Sequence, residues 1–167
     1  MQFLYPQIYA KNIQAVPYQK LLDRNIKTLV FDIDNTLVPF DILHPTEELL
    51  VFFDDLQQMG FKICLLSNNN KKRVSLFNEK LNLLAVYKAR KPFTKALNKL
   101  LNAANTPPSQ AAIIGDQIFT DVWCGNKNKM LTILIRPVQN RESFGVFLKR
   151  GLERIVVKSF VKKVRNN

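Results

Sequence analysis

Cysteine, histidine and glycine are scarce in this chain of 167 residues, which holds two cysteines, one histidine and five glycines. Cys64 and Cys124 form no CxxC pair, and with His44 as the single histidine they exclude a Cys/His zinc module and a disulfide-stapled scaffold. The glycines form neither a GxGxxG turn nor a Walker-type loop, so the nucleotide folds built on those loops are excluded. No apolar run approaches the ~18 residues of a membrane span. The first ten residues carry no positive charge and contain Pro6, so no signal peptide is expected, and the expected compartment is cytoplasmic and reducing. Acidic residues are also few, 13 against 25 Lys/Arg, a net charge of +12. Such a surface favours anionic partners: nucleic acid, anionic lipid or a phosphorylated substrate.

What is present is an ordinary globular composition, 47% hydrophobic and 23% charged, over a length that suits one domain spanning 1–167. Residues 1–27 read as a helical or irregular lead-in. From there strands and helices alternate. Short apolar runs at 28–33, 61–66, 85–89, 111–115 and 131–135 read as strands, the third weakly. Helical spacing covers 45–59, 70–81, 92–104 and 118–128, with Pro45 and Pro92 suited to first turns and Gly60 to a helix end. The expected fold is α/β: a Rossmann-like parallel sheet of five strands with helices on both faces. Ligands of such sheets sit beyond the carboxyl ends of the strands, so the chemistry should fall there.

The polar residues obey that demand. Asp32 and Asp34 end the first strand, and positions i and i+2 of an extended chain point to one side. Two carboxylates so placed repel unless a cation joins them, and oxygen-only ligands suit Mg²⁺. Ser67 and Asn68 end the second strand, where they either cap the next helix or present a hydroxyl and N–H groups to a phosphate. Lys91 follows the third strand. Asp116 follows the fourth, with Asp121 in the helix beyond it.

Four motifs in this order resemble the haloacid dehalogenase-like (HAD) hydrolase superfamily: Asp32-Ile33-Asp34-Asn35-Thr36, Ser67 in Leu65-Leu66-Ser67-Asn68, Lys91 in Ala89-Arg90-Lys91-Pro92, and Gly115-Asp116 with Asp121. The intervals between Asp32, Ser67, Lys91 and Asp116 are 35, 24 and 25 residues. The resemblance implies that Asp32 is the nucleophile and Asp34 the acid/base. It implies Mg²⁺ held by Asp32, the backbone carbonyl of Asp34, and Asp116. Thr36, Ser67, Asn68 and Lys91 would grip the phosphoryl group, and Asp121 would orient Lys91 or a metal-bound water. An acid at position 34 argues for a phosphatase, since ion-pumping members carry threonine there.

Neither of the first two intervals leaves room for a cap domain, so the site should be open to a large or surface-embedded substrate. From Arg141 to Val164, apolar residues at 144, 148, 152, 156, 160 and 164 and basic residues at 150, 154, 158 and 162 each step by four. Position 150 lies about 200° around from 148, so the stripes are opposed. Two uses fit this basic amphipathic helix: docking on an anionic membrane as a peripheral protein, or covering the sheet. Within the superfamily the chain is similar to the capless class IIIA branch of YqeG-type proteins and mitochondrial phosphatidylglycerophosphatases. That likeness implies a phospholipid head group as substrate, with phosphatidylglycerophosphate converted to phosphatidylglycerol in phospholipid synthesis. Two other readings stay open: a capless phosphatase of nucleic-acid ends or phosphoproteins, and a ribosome- or RNA-binding module on a HAD scaffold.

Overall fold

All four side chains of the run Thr28–Phe31 are buried, and a strand of that kind needs cover on both faces. The computed structural model describes residues 2–139. Six parallel strands make one sheet: β1 (Ile8–Ala10), β2 (Thr28–Phe31), β3 (Lys62–Leu66), β4 (Leu84–Val86), β5 (Ala111–Gly115) and β6 (Leu131–Ile135), in the order β1-β6-β5-β2-β3-β4. The helices are α1 (Tyr18–Asp23), α2 (Glu47–Gln58), α3 (Lys71–Asn78), α4 (Lys95–Ala103) and α5 (Trp123–Lys127). The period-2 alternation of the strands sorts the core into two layers. Leu29, Phe31, Ile63 and Leu65 pack with Leu49, Phe53 and Leu56 of α2 and with Val74 and Phe77 of α3. Val30, Cys64 and Leu66 pack with Leu97, Leu100 and Leu101 of α4 and with Cys124 of α5.

The chain steps from β2 outward to β3 and β4, then returns to place β5 on the other side of β2. Strand order therefore reverses between β2 and β5, where a doubly wound sheet opens a crevice at its carboxyl ends. No domain is inserted in the connections among the described residues. The loop after β2 leads straight to α2, and α3 alone joins β3 to β4.

The α/β class stands as expected, with one strand more. The lead-in supplies β1, which pairs with β6 from Ile8↔Ile133 to Ala10↔Ile135. Three residues have too little pattern to mark a strand, and long-range bonds hold it there. The amide of Gln7 donates to the Thr132 carbonyl at 3.0 Å, and its Oε1 accepts from the Thr132 amide at 2.7 Å. Asn126 Nδ2 donates to the carbonyls of Phe3 and Tyr5 at 2.8 and 2.9 Å.

Other boundaries move for local reasons. The third helix, expected from Pro92, starts at Lys95, because Arg90 has φ 56° and the turn closes with Phe93 N–H donating to the Arg90 carbonyl at 2.9 Å. The helix expected over 118–128 divides into a π-turn at Ile118–Val122 and the α-helix Trp123–Lys127. The amides of Asp121 and Val122 both donate to the Gln117 carbonyl, at 3.0 and 3.3 Å. Such bulges recur at functional sites, and this one carries Asp121. The amphipathic helix expected over 141–164 lies outside the described residues. No helix among the described residues is long and apolar enough to cross a membrane.

Gly125 marks the closest approach of α5 to the sheet. A Cβ there would sit 2.3 Å from Ile113 Cγ2 and 2.5 Å from Thr132 Cγ2. Gly125→Ala is expected to lower unfolding free energy by ~1–3 kcal/mol through overpacking. Urea unfolding should show it as a lower midpoint with an unchanged slope.

Candidate active site

Four consecutive strands, β2 to β5, each deliver a polar residue at the same end of the sheet. Asp32 follows β2, Ser67 follows β3, Lys91 lies in the loop after β4, and Asp116 follows β5. The Lys91 ammonium is the centre. Its Nζ lies 2.6 Å from Asp32 Oδ1, 2.6 Å from Asp121 Oδ1 and 2.9 Å from the Leu66 carbonyl. Thr36 Oγ1 lies within donor distance of two carboxylates, 3.1 Å from Asp116 Oδ1 and 3.4 Å from Asp32 Oδ2. Asp121 Oδ2 accepts from the Gln117 amide at 3.1 Å. A Cβ at position 115 would lie 2.3 Å from the Asp121 Cγ, so only glycine before Asp116 leaves room for Asp121 to reach inward.

Lys91 is brought in by a strained loop. Lys88 and Arg90 have φ of 48° and 56°, a left-handed conformation that costs non-glycine residues of order 1–3 kcal/mol each. The Ser67–Asn69 segment offsets that cost with hydrogen bonds. The amides of Lys88 and Ala89 donate to the carbonyls of Asn69 and Ser67 at 2.8 and 3.0 Å. Asn68 Oδ1 accepts from the Lys91 amide at 2.7 Å, and its Nδ2 donates to the Lys91 carbonyl at 3.3 Å. Asn68 is thus spent on the Lys91 backbone. Ser67 does not cap α3; its Oγ accepts from the Asn69 amide at 3.0 Å, and the cap is Asn70.

Asp34 stands apart from the other three acids. After Asp32 the chain turns through Asn35 at φ 61°. The Asp34 carboxylate then meets Arg73 of α3, whose Nε and Nη2 lie 3.0 and 2.9 Å from Oδ1. Asn69 Nδ2 donates to Oδ2 at 3.1 Å. Arg73 Nη1 donates to the Leu43 carbonyl at 3.0 Å, and the guanidinium lies 5.3 Å from the Phe77 ring centroid.

The chain matches a known family over most of its length. The model of that family, described as mitochondrial PGP phosphatase, matches residues 1–139. The chain belongs to this family. It is 38% identical over 162 residues to the probable phosphatase YqeG of Bacillus subtilis (strain 168), covering 97% of this chain and 94% of that protein. It is 26% identical over 173 residues to phosphatidylglycerophosphate phosphatase 1, chloroplastic/mitochondrial, of Arabidopsis thaliana, covering 97% of this chain and 49% of that one. The cobalt-bound deoxy-D-mannose-octulosonate 8-phosphate phosphatase of Haemophilus influenzae shares the fold, with a TM-score of 0.51 at 18% identity over 86% of this chain and 93% of that one. As a member of the PGP phosphatase family, the protein is a HAD-type phosphatase, a phosphoric monoester hydrolase.

The electrostatics suit a phosphatase that takes a cation. The ligand atoms of Asp32, Asp116 and Asp121 lie within 4.8 Å of one another, and all three residues are buried. Three buried carboxylates against one ammonium leave an excess of negative charge on oxygen donors alone, a set that fits a hard divalent cation. The Asp32 carboxyl is pushed up to about 8, by burial first and with Asp121 and Asp116 adding to it against the opposing pull of Lys91. Burial alone would lower the Lys91 pKa, but Asp121 and Asp32 overcome it and raise it, so the ammonium stays charged. The family resemblance implied Asp121 beside Lys91, as the 2.6 Å contact has it. It did not find Arg73 and Asn69. A helical wheel offers the missing signal for Arg73: it falls four residues before Phe77 on the buried face of α3.

The raised Asp32 pKa carries a sign. The folded state holds its proton more tightly than the unfolded chain does, so this group costs the metal-free protein stability as pH climbs from about 4 towards 8. Asp32→Asn removes the ionisation. It is expected to raise Tm in the presence of chelator, by more at pH 8 than at pH 5. Thermal melts at the two pH values measure this, and a variant that melts lower at pH 8 would contradict it.

Proposed function

We infer that the protein hydrolyses phosphatidylglycerophosphate to phosphatidylglycerol and inorganic phosphate. The observation that carries the chemistry is the buried Asp32–Lys91–Asp121 network, with Asp34 two residues beyond Asp32 and held separately by Arg73 and Asn69. Support for the lipid comes from the relatives named phosphatidylglycerophosphate phosphatase in Arabidopsis thaliana and Chlamydomonas reinhardtii, the latter 28% identical over 89% of this chain and 59% of that one. The absence of an inserted domain over the strand ends, among the described residues, suits a head group presented on a surface.

In this reading an Asp32 oxygen attacks phosphorus, and the bond from phosphorus to the glycerol oxygen breaks. Asp34 gives its proton to the departing oxygen. It then takes a proton from water, whose oxygen attacks phosphorus and breaks the bond to Asp32, releasing phosphate and restoring the Asp32 carboxylate and the protonated Asp34. Lys91 offers positive charge beside Asp32, and the Thr36 and Ser67 hydroxyls face the same end of the sheet, where donors stabilise charge on the transferring group. Asn68 serves by holding the Lys91 backbone. Asp32, Asp116 and the backbone carbonyl of Asp34 would hold a divalent cation such as Mg²⁺, with Asp121 beside them on Lys91; when bound it would offset charge between the carboxylates and the incoming phosphate. The cell compartment that suits this reading is the cytoplasm, with the protein peripheral on the membrane face.

The direct test is Mg²⁺-dependent phosphate release from phosphatidylglycerophosphate in mixed vesicles, with a soluble phosphate ester alongside and Asp32→Asn as control. Release from the lipid, much faster than from the ester and abolished in the variant, is expected; release from the ester alone would overturn the lipid assignment.

Arg73 gives a second prediction. Loss of Asp34 in Asp34→Asn should lower kcat by ~10²–10⁴-fold. Arg73→Gln should lower kcat in part, with KM little changed, because it frees the Asp34 carboxylate rather than removing it. The double variant should be no slower than Asp34→Asn alone; additive losses would show that Arg73 acts independently of Asp34.

A further inference from the structure

Large apolar side chains exposed singly need no explanation, but a cluster does. Of eleven such residues exposed among the described ones, six lie in the loops that leave the carboxyl ends of the strands: Phe40, Ile42, Leu43, Tyr87, Phe93 and Val138. The other five are scattered over the lead-in, α2 and its end, and the β4 edge. Phe93 and Phe40 are 68% and 60% exposed, the two highest values among the six.

Hydrogen bonds fix these loops around the site. Arg73, which holds Asp34, donates to the Leu43 carbonyl at 3.0 Å. The Val138 amide donates to the Asn35 carbonyl at 2.9 Å. Phe93 follows Lys91 by two residues, and the Lys88 amide is tied to the Asn69 carbonyl at 2.8 Å. The apolar residues therefore form a rim at the mouth of the crevice.

The rim is also basic. Lys88 and Arg90 are exposed in the Phe93 loop, and Lys71 and Lys72 are exposed where α3 opens. None of the four forms an ion pair among the described residues. The exposed acids at this end are Asp41 and the Glu47–Glu48 pair in the first turn of α2. The described chain ends at Gln139, next to Val138 of the rim, and residues 140–167 add eight Lys/Arg against two acids.

We propose that this rim is a membrane-docking surface: Phe40, Ile42, Leu43 and Phe93 enter the interface of an anionic bilayer, and the surrounding lysines and arginines meet its head groups. Aromatic side chains favour the head-group level, and basic residues beside them draw on the anionic surface potential. The catalytic crevice then faces the bilayer, which delivers a lipid phosphate to Asp32 without extraction. The proposal rests on the lipid-phosphate reading of the site, but docking can be measured without turnover.

The probe is Phe93→Trp in a Trp123→Phe background of the full chain, mixed with vesicles of phosphatidylglycerol and phosphatidylcholine that contain no substrate. Emission should shift to the blue on anionic vesicles and be quenched by brominated acyl chains. Phe40→Ser/Ile42→Ser/Phe93→Ser should weaken vesicle co-sedimentation by at least ~10-fold while hydrolysis of a soluble ester is unchanged. Quenching without hydrolysis of phosphatidylglycerophosphate would uphold the rim and fail the substrate. Co-sedimentation with unshifted emission would move docking to another segment and overturn the proposal. A blue shift that grows with protein concentration in the absence of lipid would assign the rim to a second copy of the chain and also overturn it.

Discussion

A single ammonium group organises this protein's site. Lys91 Nζ lies 2.6 Å from both Asp32 and Asp121, out of water. A buried ion pair is a poor source of net stability, because desolvation consumes most of its Coulomb energy. Its value here is positional. The ammonium cannot leave Asp32 and Asp121 without stranding two buried carboxylates, so it ties the loop after β4 to the end of β2 and to the π-turn after β5. Asp116 and Thr36 join from the same crevice.

The surrounding structure serves that contact. Gly115 lacks a side chain so that Asp121 can reach inward. Asn68 holds both backbone polar groups of Lys91, and the left-handed Lys88 and Arg90 persist because the Ser67–Asn69 segment bonds the loop on each side. The sheet supplies the frame. β2 and β5 are neighbours at the point where strand order reverses, so Asp32 and Asp116 meet although 84 residues separate them. Asp34, two residues from Asp32, is drawn by Arg73 into a different set of contacts. Carboxylates two residues apart thus receive different environments, which the proposed division between nucleophile and acid/base requires.

The same loops that carry the chemistry carry exposed apolar and basic side chains. Such a surface opposes a simple solvated mouth, since rings like Phe40 and Phe93 gain nothing from water. It is consistent with a phosphatase whose substrate stays in a surface while its phosphate enters the crevice. Chain order makes this economical: parallel strands send every second connection to one end, so catalytic and contact residues share the same short loops.

Much of this was legible in the residues alone. Alternating apolar runs announced a parallel α/β sheet, and β5 and β6 fell on Ala111–Gly115 and Leu131–Ile135 as read. The order Asp32, Asp34, Ser67, Lys91, Asp116, Asp121 marked the strand ends, because residue type and period are properties of a local stretch, and its resemblance to the HAD superfamily carried the reaction class. What tertiary structure decided is everything that depends on a partner far along the chain. β1 exists because Gln7 and Asn126 bind across more than a hundred residues, not because three residues prefer to be extended. Asn68 turned out to serve the Lys91 backbone, and Arg73 claimed Asp34. The raised Asp32 pKa arises from burial and from charges that only folding brings within a few ångströms. Local sequence specifies which groups are available; desolvation and distance, which exist only in the folded molecule, specify what each one does.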